Sequence, residues 1–146
     1  LEDAPKAIEY AKRMVDDYPD DAVVWQFLAY AHSINEDHTT ALEVLQKAID
    51  LEPDEPSWHH YRAYLHCQLR DFPAVLEDLE RAVKCCNPKE RPNLWPEIQI
   101  CRADMLLRFG RKAEARAALE HVPDGWMLRI TEFRTKDEML AECDAP

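Results

Sequence analysis

At 146 residues, with a net charge of −11, two glycines and ten prolines, the chain is long enough to bury one core but too poor in glycine to build a nucleotide-cradling loop in the usual way. Residues 1–56 carry fourteen acids against four bases and residues 57–146 carry fifteen against fourteen, so nucleic acid and anionic membrane are disfavoured as partners, above all for the first half. No apolar run approaches the roughly 18 to 20 residues of a membrane span, no signal-peptide pattern opens the chain, and five cysteines without CxxC spacing suit free thiols, so a cytoplasmic location is expected.

In chain order, residues 1–21 place Ile8, Ala11, Met14 and Val15 on one helical stripe, with Pro5 suited to the first turn. Ala7 precedes Ala41 by the same interval that separates Pro19 from Pro53, so this segment reads as the second half of a unit that recurs whole further on. The chain begins on Leu, and a preceding helix is expected, a processed start being the alternative.

Residues 22–55 hold two helical runs, Val24, Trp25, Leu28, Ala29, Ala31 and then Ala41, Leu42, Leu45, Ala48, Ile49, separated by the polar turn Asn35 to Thr40. Trp25, Leu28, Ala29, Ala41, Leu45, Ala48 and Pro53 stand at the spacing of a tetratricopeptide repeat (TPR), which this hairpin resembles, with His32 where the family has Tyr and Ala29 where it has Gly. The small residues allow close helix crossing while Trp25, Leu28 and Leu45 fill the space around them.

A third hairpin is expected over residues 56–88. The interval from Trp25 to Trp58 is one position shorter than those from Ala41, Leu45 and Ala48 to Val75, Leu79 and Ala82, which implies an extra residue in the inter-helix turn and puts Tyr61 and Leu65 on the buried stripe. Cys85 to Asn93 reads as a longer loop, followed by a divergent hairpin over 94–122, with Trp95, Ile98, Cys101, Met105 and Phe109 on its first helix, Gly110 as stop and a short second helix over 112–121. Residues 126–146 form an expected cap. Thr135 and Glu138 are spaced as a capping box for a helix over 136–143, and 126–134 fits either a strand or a helix. The fold expected is an all-α, TPR-like superhelical array of helical hairpins with a C-terminal capping helix, in one domain.

The resemblance implies that first helices line a concave groove, with Gln26, Phe27, Tyr30 and Ser33 in one hairpin, His59, His60, Ala63 and His66 in the next, and Gln99 and Arg102 continuing the row. The lysine-rich carboxylate clamp of some relatives is missing, since neither of the first two such helices has a lysine. What remains is an aromatic and histidine-lined groove for an extended peptide or amphipathic helix, unless some of these aromatics pack between hairpins. Three histidines on one surface would make binding sensitive to pH between roughly 5 and 7. A metal site at His59, His60, His66 and Cys67 is disfavoured because no two of these histidines have the one-turn spacing that stacks ligands on a helix, and Cys85 and Cys86 are read as inert. No cofactor is expected. The function expected is a non-catalytic protein-binding adaptor or scaffold segment with a basic or amphipathic partner; the alternatives are a bacterial dedicated-partner protein, such as a secretion chaperone or toxin-neutralising protein, and, last, a metal-dependent enzyme.

Overall fold

The computed structural model describes residues 4–128 and 134–145. Its helices are α1 (Ala4–Asp17), α2 (Ala22–Ile34), α3 (His38–Leu51), α4 (Pro56–Gln68), α5 (Phe72–Cys85), α6 (Leu94–Arg108), α7 (Lys112–Leu119) and α8 (Lys136–Asp144). Each packs mainly on its neighbours in sequence, as a solenoid of hairpins requires. Two short strands, β1 (Met127–Leu128) and β2 (Arg134–Thr135), pair antiparallel just before α8. Thus both ends of the ambiguous 126–134 segment are extended, and its centre lies outside the described residues.

Side-chain caps begin α2 to α5 and α8. Asp21, Asp37, Glu55 and Asp71 each accept from a backbone N–H in the first turn, and Thr135 and Glu138 form the reciprocal capping box on α8. The hairpin turns end in a common way. Glu36, Arg70 and Gly110 adopt positive φ (61°, 60° and 71°), and the next residue's N–H reaches back to the carbonyl of His32, His66 or Leu106 at 3.0, 3.0 and 2.8 Å.

These turns fix the register. The interval from Glu36 to Arg70 equals the interval from the start of α2 to the start of α4, and from the end of α2 to the end of α4. The extra turn residue expected from Trp58 is therefore absent. Trp58 occupies the place of Val24, and His59 takes that of Trp25: the Trp25 indole N–H donates to the Pro19 carbonyl at 2.8 Å, and His59 Nε2 meets the Pro53 carbonyl at 2.7 Å. The second step, Arg70 to Gly110, is wider because the connection over 86–93 is longer.

With that register the small crossing residues align as Ala29, Ala63 and Ala103, each essentially buried, against Ala41, Leu45 and Ala48 on α3 and Val75, Leu79 and Ala82 on α5. Ala11, Val15, Val24, Leu28 and Ala31 join α1 to α2, and a larger cluster runs from α4 to α8 through Leu79, Ile98, Leu106, Leu119 and Met139. Met14 departs from expectation. It is the counterpart of Ala48 and Ala82, both fully buried, yet it is 38% exposed, because among the described residues no first helix lies against α1.

Helix α8 closes the other end. It packs on α6 and α7, with Met139 fully buried, Lys112 Nζ on the Ala145 carbonyl (2.8 Å) and an Arg116–Asp144 ion pair. Arg134 meets the fully buried carboxylate of Asp104 at 2.5 Å, which Arg108 also holds at 2.9 Å. Two guanidinium groups offset the cost of burying that charge and tie the cap to the array.

Candidate partner-binding face

Side-chain contacts place the first helices α2, α4 and α6 side by side. Tyr61 of α4 lies against Ser33 of α2, and His60 of α4 has Nε2 3.8 Å from Cys101 Sγ of α6. On α4 the rings of Tyr61 and Tyr64 stack with centroids 5.9 Å apart and planes within 9°. Tyr30, 53% exposed, is close enough to this pair to act electrostatically on Tyr61. Three tyrosines thus form an aromatic platform across two hairpins, with Gln26 half-buried on α2.

The residues expected to line the groove separate. Tyr30, Gln26 and His60 are accessible in whole or part, and Phe27 is 48% exposed. Ser33, His59, Ala63 and Gln99 are buried and offer little open surface, which corrects their expected position. His66 instead faces the second helices, with Nε2 3.7 Å from Asp78 and Nδ1 4.0 Å from Asp71 at the start of α5, and Arg102 donates to Glu80 of α5 at 3.0 Å. The displacement on α4 has one cause. In the register that the turns set, Gln26, Phe27 and Tyr30 correspond to His60, Tyr61 and Tyr64, so two platform tyrosines escaped the expected set through a slip of a single position. The equal spacing of Pro19 to Pro53 and Ala41 to Val75 carried the signal that would have found them.

Residues 22–55 match the family model of the tetratricopeptide repeat. Residues 22–55 are a repeat of that type, and the chain as a whole is an all-α, TPR-like solenoid. Two crystal structures of MamA resemble it with a TM-score of 0.67 each and 16% identity, over 82% of this chain. The chain spans 67% and 62% of the length of those proteins, and at that identity the likeness establishes the fold. No curated protein matches it in sequence. Repeats of this family are protein-interaction elements, and protein partners are the class of ligand that the TPR assignment supports.

Electrostatics narrow what the TPR face can do. Burial pushes His60 down to about 4, so this imidazole is neutral from pH 5 to 7 and cannot supply the pH response expected of a histidine cluster. Burial likewise pushes the Tyr61 phenol up to about 12, partly opposed by the Ser33 hydroxyl and reinforced by the phenols of Tyr64 and Tyr30. The five thiols are free, and burial raises each of them, Cys101 most, which disfavours thiolate chemistry. Among the described residues no three His, Cys, Asp or Glu side chains are grouped to hold a metal ion, and no helix is long and apolar enough to cross a membrane.

Elsewhere, α3, α4 and α5 frame a recess of about 390 Å³ lined by Gln46, Arg62, His66 and Asp78 among others. Its polar centre is already paired: Arg62 donates to both Asp78 oxygens at 2.6 to 3.0 Å and to Gln46 at 3.0 Å. It serves as a repeat-to-repeat tie.

Proposed function

We propose that this TPR array is a non-catalytic adaptor or scaffold segment that holds a peptide or helix of a partner protein along the face of its first helices. The observation that carries this reading is the Tyr30, Tyr61 and Tyr64 platform, where a solvent-accessible ring lies beside a stacked pair on the next hairpin. Aromatic rings suit the purpose. They bury a large apolar area for little side-chain entropy, and the exposed Tyr30 keeps its hydroxyl for the peptide backbone. Gln26 adds an amide that can both donate and accept beside an extended chain. A basic or amphipathic ligand fits the acidic excess over residues 1–56, which favours encounter with cations.

The test is affinity capture from source lysate with the native chain, with Tyr30→Ala/Tyr64→Ala, and with Glu43→Ala on α3 as control. A protein retained by the native chain and the control but lost from the tyrosine variant, with helicity unchanged by circular dichroism, supports the reading. Equal retention by all three moves the site off this face.

A further inference from the structure

The tyrosine platform is built without acids or fixed cations. Helix α2 contains no Asp, Glu, Lys or Arg, and the one such residue of α4, Arg62, is held by Asp78 of α5. In the register of the turns the next member of the row Tyr30, Tyr64 is Asp104, which is fully buried and bound by Arg108 and Arg134. The open row of rings therefore spans two hairpins. Tyr61, its hydroxyl buried, is the surface on which Tyr64 stacks. Among the described residues the Tyr30 and Tyr64 hydroxyls and the Gln26 amide have no hydrogen-bond partner within the protein. What faces a ligand is thus ring surface with neutral O–H and N–H donors.

That surface discriminates among backbone conformations. A docked α-helix has already paired its carbonyls internally and leaves the donors unused. Proline has no N–H, and a proline-rich chain in the polyproline II conformation has no internal hydrogen bonds, so its carbonyls are free to accept from Tyr30, Tyr64 and Gln26. Its rings supply flat apolar faces for the tyrosines, and its stiffness lowers the entropy lost on binding. The period fits as well. Polyproline II rises about 3.1 Å per residue with three residues per turn, so the same face returns after about 9 Å, and helices packed side by side stand about 8 to 10 Å apart. A proline on Tyr30 therefore brings the third residue after it to Tyr64. On the reading that this face holds a partner's peptide, we infer that the peptide is a proline-rich segment in the polyproline II conformation, crossing α2 and α4 with prolines three residues apart on Tyr30 and Tyr64.

The probe is fluorescein-labelled decaproline, which is uncharged along its length, with a labelled Gly-Ser peptide of equal length as comparison. Fluorescence anisotropy should show decaproline binding about tenfold more tightly than the Gly-Ser peptide, and Tyr30→Ala and Tyr64→Ala should each weaken it about tenfold, while Glu43→Ala leaves it unchanged. Tyr30 is exposed, so that variant keeps the test valid even where Tyr64→Ala disturbs the fold, which circular dichroism would reveal. Decaproline that binds no better than the Gly-Ser peptide, or that ignores Tyr30→Ala, overturns the inference. The lysate capture described above separates the two readings. If decaproline fails while a captured protein is still lost from Tyr30→Ala/Tyr64→Ala, the proline-rich ligand is refuted and the platform stands. If capture ignores the tyrosines while decaproline depends on them, the adaptor reading falls and the proline site is kept.

Discussion

The ion pair between Arg62 and Asp78 offers the sharpest test of the register. One hairpin earlier, the corresponding positions are Leu28 and Val44, so the third hairpin replaces an apolar pair in the second with a charged one. The Asp78 side chain is 5% exposed and that of Arg62 25%, and they are joined by contacts of 2.6 to 3.0 Å. Arg62→Leu should pack as Leu28 does yet strand a buried carboxylate, which costs about 3 to 5 kcal/mol in such settings. Because His66 Nε2 remains 3.7 Å from Asp78, the lower figure of about 3 kcal/mol is expected. With a urea slope of about 2 kcal/mol per molar, the midpoint falls by about 1.5 M. Adding Asp78→Val should restore it to within about 1 kcal/mol of the native protein or better, since an apolar pair replaces a desolvated charged one. Urea titration followed by circular dichroism at fixed pH measures all four corners of this cycle. A double variant as unstable as Arg62→Leu, or a single variant indistinguishable from the native chain, would refute both the register and the energetic argument.

Overpacking gives a second test: Ala41→Leu or Ala48→Leu, each fully buried, should cost about 1 to 3 kcal/mol, while Glu43→Leu on exposed α3 surface should change stability little. His60 supplies a pH test. Its folded value of about 4 lies below the ordinary 6.5, so the unfolded chain binds the extra proton first; the resulting cost is absent well above pH 6.5 and grows as pH falls toward 4, reaching about 3 kcal/mol. The stability difference between His60→Gln and the native chain should shift in the variant's favour over that interval, and a difference that stays constant would mean that His60 is not held neutral. Gly110→Ala should cost about 1 kcal/mol through its φ of 71° alone, since nothing lies within 4 Å of the added methyl, and a neutral result in thermal melts would show that the turn relaxes. Cys101, buried against His60, should react with iodoacetamide more slowly in the native protein than Cys85, a ranking that mass spectrometry of tryptic peptides resolves.

The repeat assignment rested on features that act locally. Proline stops, capping residues and helical periodicity are written into each segment, and Ala29, Ala41 and Ala48 mark a close crossing wherever their helices meet. Helices α1 to α8 were therefore legible almost to their ends, apart from the shorter α7, and so was the capping box at Thr135 and Glu138. The platform was only half legible. Tyr30 and Gln26 followed from the second hairpin, but Trp58 drew the third into the wrong register, because an indole at Trp25 and an imidazole at His59 make the same bond to a proline carbonyl and only the folded turns reveal the equivalence. The buried state of His59, Ala63 and Gln99 and the pairing of His66 and Arg102 with α5 depend on which helices lie alongside. A stripe of apolar residues records that a helix has an inner face. Whether a neighbour covers that face is decided by contacts between segments far apart in the chain, and those only the tertiary structure holds.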